Sequence, residues 1–413
     1  MLMNTFSSQE KTLTQLSTVL KQMGLIHLYT DNVPTPGRRM LQIDGRQLLN
    51  FTSCSYLGLE ADDRLRQGAV EKVQQYGVQF DCSRAYISLY PYEELENLLA
   101  EIFGKPVVVT TSVTSAHLSC MPVLIGNKDA IILDQQVHSS VQMAVKTVQA
   151  DGVHVETIRH NRLDYLENRV KKLSQEYGKV WYMVDGVYSM SGDLMPIGEV
   201  NALMDQYEQF HLYVDDAHGM SWTGKHGAGA VLSKAPFHPK MMLVTSLGKA
   251  FGSSGGVAVF PDEQKRNAIR TFGKTLIFTS PLTPPVLGAA IASARIHLSD
   301  QIYDMQSELH HRIQYFQDKA QSLSLPVTSP GESPVCFVRI GKPEMVMDLC
   351  QRLKQDGILT NPAIFPSVPY NQAGVRILLS RAHAIEDIER LLTMLADALQ
   401  NKTYQEKYDF ESA

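Results

Sequence analysis

The sequence predicts an α/β protein: a large domain built on a mostly parallel sheet, with a smaller α+β domain at the C-terminal end. Three observations predict it. From about residue 60, short β-rich apolar runs alternate with helical patterns. Several of those runs end on polar residues (Asp185, Asp215, Ser246 and the loop from Asp134 to His138), and open parallel sheets gather ligands at such strand ends. After Pro284-Pro285 the pattern changes to a long helix followed by two well-separated strands and two more helices.

Each element follows from its residues. Residues 8–27 carry Leu13, Leu16, Val19, Leu20 and Met23 at helical spacing. A turn marked by Pro34, Pro36 and Gly37 leads to a hairpin around Ile43-Asp44-Gly45-Arg46, where Asp-Gly supplies the turn. Strands are expected at 106–111, 130–134, 153–158, 180–185, 211–215 and 242–246. Helices between them imply right-handed crossovers and a sheet covered on both faces. Beyond the two prolines come a helix at 286–323, a strand at 335–340, a helix at 343–355, a strand at 374–379 and a helix at 384–399. The acidic stretch 404–413 reads as frayed. The division expected is an N-terminal helix and hairpin segment (1–60) packing with the small domain, a large domain (61–290) and a C-terminal small domain (291–413).

Composition narrows the function classes. The 413 residues carry a net charge of −5, which leaves no electrostatic footprint for nucleic acid or an anionic membrane. Cys54, Cys82, Cys120, Cys336 and Cys350 are odd in number, widely spaced and without a CxxC pair. That pattern points to reduced thiols in a cytoplasmic protein, with neither disulfides nor a metal site. No segment offers about 18 uninterrupted apolar residues, so stable membrane insertion is not expected.

The chemistry centres on Lys249, in Thr245-Ser246-Leu247-Gly248-Lys249-Ala250-Phe251-Gly252. A lysine that forms an imine must lose its proton near neutral pH, which a partly desolvated or cation-flanked site favours. Gly248 lets a flat group lie close to the backbone. Asp215, in Leu212-Tyr213-Val214-Asp215-Asp216-Ala217-His218, ends a hydrophobic strand 34 residues earlier. An aspartate for a pyridinium nitrogen and a Schiff-base lysine are how proteins hold pyridoxal 5'-phosphate.

Further motifs occur in order: Ser55-Tyr56-Leu57-Gly58-Leu59, Asp134-x3-His138-Ser139-Ser140, His160-Asn161, Asp185-Gly186-Val187-Tyr188-Ser189-Met190-x-Gly192-Asp193 and Val375-Arg376. With the two runs above, they make residues 45–400 resemble the α-oxoamine synthase family of fold-type I pyridoxal-phosphate enzymes, which includes serine palmitoyltransferase, 8-amino-7-oxononanoate synthase and 2-amino-3-ketobutyrate CoA ligase. The resemblance implies a seven-stranded, mostly parallel sheet in the large domain. It also implies roles. Lys249 is the imine-forming lysine and later the acid/base at the substrate α-carbon, Asp215 sits under the pyridine nitrogen, His218 bonds the phenolic oxygen, and His138 stacks on the ring. The cofactor phosphate falls to the helix start around Ser112 and Val113 and to Ser246, with Ser189 as a further contact. Thr279 and Ser280 resemble the segment that reaches the phosphate of a neighbouring subunit, which implies a homodimer with shared active sites. Arg376 resembles the arginine that grips the amino acid's carboxylate, whereas His383 fits the pattern no better than it fits a helix cap.

The departures from the family cluster around the substrate. Ser55 replaces an Asn, Tyr92 a His, Val113 an aromatic residue and Ala116 an Asn, and Leu89-Tyr90-Pro91 replaces a small, Gly-containing stretch. Ser55 and Tyr92 are therefore expected to line the substrate pocket. The function implied is decarboxylative condensation of an α-amino acid with an acyl thioester to an α-amino ketone. The alternative is an aminotransferase or another amino-acid-transforming reaction on the same fold. The donor is an acyl-CoA or an acyl-carrier protein, since no basic cluster singles out a CoA phosphate.

Overall fold

The computed structural model describes residues 8–30, 38–369 and 371–400. The Pro/Gly turn at 34–37 and the acidic stretch 404–413 lie outside them. Among the described residues thirteen strands occur in chain order: β1 (Met40–Ile43), β2 (Arg46–Asn50), β3 (Val107–Thr110), β4 (Ala130–Asp134), β5 (His154–Ile158), β6 (Val180–Asp185), β7 (Phe210–Asp215), β8 (Met241–Ser246), β9 (Gly256–Val259), β10 (Val335–Gly341), β11 (Ile358–Leu359), β12 (Asn361–Ala363) and β13 (Ala373–Leu378).

Two compact units form. The larger takes Cys54–Ser189 and Asp193–Leu309; the smaller takes Met1–Ser53, Met190–Gly192 and His310–Ala413. The boundaries thus differ from 60 and 290. Helix Pro284–His297 stays in the large unit because Leu287 and Ile291 pack into the same core as Leu95 and Leu99 of helix Tyr90–Phe103.

The large unit is an α/β fold on a seven-stranded sheet of order β3-β9-β8-β7-β6-β4-β5. β4 to β8 pair in parallel, and β9 runs antiparallel between β8 and β3. The periodicity of two explains its two cores. Val180, Tyr182, Val184, Leu212, Val214 and Leu243 face one core, while Trp181, Met183, Tyr213, Met242 and Val244 face the other. Helices Tyr90–Phe103, Leu163–Leu173, Ile197–Gln206 and Pro284–His297 cover the first face; Val113–Leu124 and Ser139–Ala150 cover the second. Each fully buried Leu, Val or Phe there contributes about 1.5–3 kcal/mol.

β9 does not show in the sequence pattern. Residues 247–255 are too few for a crossover, which needs about a dozen, so the chain returns antiparallel. The helix expected at 286–323 is two, Pro284–His297 and Gln301–Ser322. Ser299 and Asp300 make the break, the Ser299 hydroxyl bonding back to the Ile296 carbonyl at 2.7 Å.

In the small unit, β1 and β2 form the expected hairpin. Asp44 and Gly45 both take positive φ, 52° and 74°, as a tight two-residue turn requires. β11 extends that hairpin into a three-stranded sheet, and β10, β13 and β12 form a second. His383 is buried here: its Nε2 bonds the Asn50 carbonyl at 2.9 Å, its Nδ1 accepts from Ser380 N–H, and its ring stacks on Phe51. Burial lowers its pKa to about 4, so it is a neutral structural tie between β2 and the segment before helix Ile385–Gln400. No helix among the described residues is long and apolar enough to cross a membrane.

Candidate active site

A cavity of about 380 Å³ opens at the carboxyl ends of β6, β7 and β8 in the large unit. That volume falls within the range of about 300–1,000 Å³ typical of small-molecule sites. Asp185 and Asp215 reach it from adjacent registered positions of β6 and β7, and Ser246 reaches it from the end of β8. The loop after β8 brings Gly248 and Lys249. The loop after β7 brings Ala217 and His218, the loop after β4 brings His138, and the helix start after β3 brings Thr111, Ser112, Val113 and Thr114.

Local geometry orients each group. Lys249 sits at φ 47°, a backbone state that costs a non-glycine residue on the order of 1 kcal/mol and concentrates at functional sites. His218 Nδ1 is hydrogen-bonded to the Tyr56 hydroxyl at 2.7 Å, which fixes the ring's rotation. His138 caps helix Ser139–Ala150, with Nδ1 bonded to Ser140 Oγ at 2.6 Å, and its own N–H donates to Asp185 Oδ1 at 3.0 Å. Ser112 caps helix Val113–Leu124, so the amides of that helix's first turn face the cavity, a ready anion site. Gly256 lets β9 press against this turn, since a Cβ there would lie 2.6 Å from the Ser112 carbonyl.

The two carboxylates are shifted in opposite directions. Burial alone would raise Asp215, but a hydrogen bond from His117, the His117 and Lys249 charges and the Ala217 N–H outweigh it and hold Asp215 below the ordinary carboxylate range. Asp185 goes the other way, driven well up by burial and then by the neighbouring Asp215 charge. Burial, aided by Lys249 and His117 and opposed by Asp215, lowers His138, so that imidazole is neutral near pH 7. Behind them Asp216 is fully enclosed and pushed by burial to about 8. A Cβ at Gly219 would fall 2.0 Å from Asp216 Oδ1, which is why the Asp-Ala-His run must end in glycine.

The chain matches the aminotransferase class I and II family over residues 46–395. It is 30% identical over 382 residues to 8-amino-7-oxononanoate synthase of Symbiobacterium thermophilum, across 91% of this chain and 94% of that protein. It is 31% identical over 366 residues to the same enzyme of Dechloromonas aromatica, across 88% and 93%. The chain belongs to the pyridoxal-phosphate-dependent α-oxoamine synthases. The solved serine palmitoyltransferase of Sphingomonas wittichii shares the fold, with a TM-score of 0.86 at 24% identity over 94% of this chain and 97% of that one.

An α-oxoamine synthase must hold a phosphorylated pyridine, and this cavity fits one. It offers an amine, an ionised carboxylate opposite a helix start, and hydroxyls on Ser112, Thr114, Ser246 and Ser254. Of the residues expected to bind cofactor, Ser112, Val113, His138, Asp215, His218, Ser246 and Lys249 line it. Ser189 is half-buried and does not. Thr279 and Ser280 are exposed outside it, their hydroxyls bonded to the Thr275 carbonyl and to Asp81. Ser55 does not line it either; its hydroxyl donates to Glu60. Tyr92 requires a correction: it is a core residue and not a pocket wall. Its ring lies 3.7 Å from the Arg84 guanidinium, its hydroxyl accepts from Leu282 N–H, and burial raises its pKa to about 12. Arg376 stands on β13 of the small unit, opposite Phe337 and Asn361.

Sequence reasoning missed two participants. Tyr56 was visible only as a motif letter. His117 gave one signal, a lone histidine on the buried helix face of Ala116, Cys120 and Met121.

Proposed function

We propose that the enzyme joins an α-amino acid to an acyl thioester, forming a carbon–carbon bond between the α-carbon and the acyl carbon while the carbon–sulfur bond and the bond to the carboxylate break. The products are an α-amino ketone, carbon dioxide and free thiol. One observation carries the reading: Lys249, ionised Asp215, neutral His138 and oriented His218 share one cavity with a helix N-terminus. Pyridoxal phosphate, when bound, supplies the electron sink for negative charge at the α-carbon.

The chain's own groups do the rest. Lys249 would hold the cofactor, and its amine would take and return the substrate's α-proton. Asp215 pairs with the ring nitrogen, and His218 with the phenolic oxygen. Ser112, Ser246 and the first helical turn hold the phosphate, with Val113 alongside and Ser189 as an outer contact. His138, being neutral, donates a hydrogen bond to the oxygen that gains charge as the thioester is attacked. Arg376 grips the amino acid's carboxylate, and Ser55 supports the substrate side through Glu60. Thr279 and Ser280 complete the phosphate site of a second subunit. Support for that homodimer comes from exposed aromatic side chains of the large unit: Phe278, next to Thr279, is 79% exposed, Tyr86 86% and Tyr90 80%. Five free thiols support a reducing, cytoplasmic setting.

The test mixes purified holoenzyme with each amino acid and with acyl-CoA or acyl-carrier protein, and follows free thiol and carbon dioxide. Equal release of both, only when amino acid and thioester are present together, is expected, with none from Lys249→Ala. The two donors separate by which gives the higher kcat/KM. Turnover with 2-oxo acids and no thiol release would place the enzyme among the aminotransferases instead.

A further inference from the structure

We propose that His117 is a positioning residue for the cofactor's ring nitrogen, acting through Asp215 as the middle link of a buried chain Tyr213–His117–Asp215. The proposal rests on the reading of Asp215 as the group that faces that nitrogen.

The geometry is specific. His117 Nε2 lies 3.0 Å from Asp215 Oδ2, and Nδ1 lies 2.9 Å from the Tyr213 hydroxyl. His117 is 0% exposed, and Asp215 Oδ1 is separately held by the Ala217 N–H at 3.0 Å. Both carboxylate oxygens are thus bonded on the protein side, which sets the carboxylate plane. Tyr213 is fully enclosed, and burial drives its pKa well up, so its hydroxyl keeps its proton and its hydrogen bond to Nδ1 holds the ring in place. An ionised carboxylate can only accept, so Nε2 carries a proton and donates to Asp215. Deleting this donor leaves a buried carboxylate with the Ala217 amide as its remaining hydrogen-bond donor from this side, a state that burial disfavours.

The placement of His117 adds a second reason. It stands four residues beyond Val113 on the helix whose first turn faces the cavity. Residues four apart share one helix face, so a single rigid helix meets an anion with its N-terminus and Asp215 one turn further in. The distance between the phosphate site and the ring-nitrogen site is therefore set by helix geometry and not by a loop. Asp215 and Tyr213 lie two residues apart on β7, and so on one strand the chain closes on itself.

The experiment compares His117→Gln, His117→Asn, His117→Leu and Asp215→Asn. Apoprotein of each is titrated with pyridoxal phosphate to obtain Kd, and the visible band of the loaded protein is followed against pH. A glutamine amide reaches the Nε2 position and donates; an asparagine amide stops short. His117→Gln should bind within about threefold of wild type, whereas His117→Leu and His117→Asn should lose about tenfold or more, the loss expected when a charged acceptor forfeits a donor. The band's pH midpoint should shift in Leu and Asn and return in Gln. Tyr213→Phe should shift it in the same direction by less. If His117→Leu does not fold, the Gln and Asn pair decides alone. Equal Kd and equal midpoints across Gln, Asn and Leu would overturn the proposal, as would a Gln variant no better than Asn. An Asp215→Asn variant with unchanged Kd and midpoint would sink the reading of Asp215 itself, a separate failure.

Discussion

His160 is the best place to perturb this protein by pH. Its Nδ1 lies 2.9 Å from Asp134 Oδ1 and its Nε2 lies 2.6 Å from Asp193 Oδ2. Carboxylates on both sides require both ring nitrogens to donate, so the folded state favours imidazolium. Burial alone would lower its pKa, but the hydrogen bonds to Asp134 and Asp193 and their charges outweigh that and raise it from 6.5 to about 9. The side chain is 20% exposed, so solvent screens the pair only in part. A rise of that size corresponds to about 3 kcal/mol. Because the folded pKa is raised, this stabilisation is fully present below pH 6.5 and is lost as pH rises through 9. The perturbation is His160→Gln, which cannot become a cation. Thermal midpoints of wild type and variant are measured from pH 6 to pH 10. Wild type should lead at pH 6 by several degrees, on the order of 2–4 °C per kcal/mol for a unit of this size, and the lead should close toward pH 10. A gap that stays constant with pH would refute the reasoning, since only an uncharged contact behaves so. The clamp also matters to the site: Asp134 ends β4, where the chain turns toward His138, and accepts from the amides of Gln136 and Asn161.

Three more outcomes are expected. Gly288→Ala should destabilise the enzyme by about 1–3 kcal/mol in denaturant melts although alanine favours helix, because its Cβ would fall 2.0 Å from the Gly68 carbonyl oxygen. Leu99→Ala, at a fully buried position of the larger core, should cost about 2–5 kcal/mol, read the same way. Arg376→Lys should raise KM for the amino acid about tenfold while leaving KM for the acyl donor unchanged, since an ammonium cannot make the bidentate grip; a rise in the donor KM would move Arg376 out of the carboxylate site.

Much of the fold was legible because its strands are buried on both faces. β6, β7 and β8 read as continuous apolar runs, and their boundaries lie within one residue of those expected. β9 was not legible, since Gly256-Val257-Ala258-Val259 closes a glycine-rich stretch and gains its identity from pairing with β3 and β8. Tyr92 was misplaced for a related reason: a tyrosine in the first turn of an amphipathic helix reads alike whether its neighbour is substrate or Arg84. His117 escaped because its partner is 98 residues away.

The chain alone determined the inventory of the site. An amine after a strand, carboxylates at two strand ends, and hydroxyls at a helix start are local facts, set by residue type and short-range backbone preference. Only the tertiary structure decided which way each carboxylate's pKa moves. Asp185 and Asp215 end neighbouring strands with the same chemistry, but His117 lies against one of them, while at the other burial and its neighbour's repulsion outweigh the His138 amide. Ionisation depends on solvent access and on charges within a few ångströms, and folding is what brings those together.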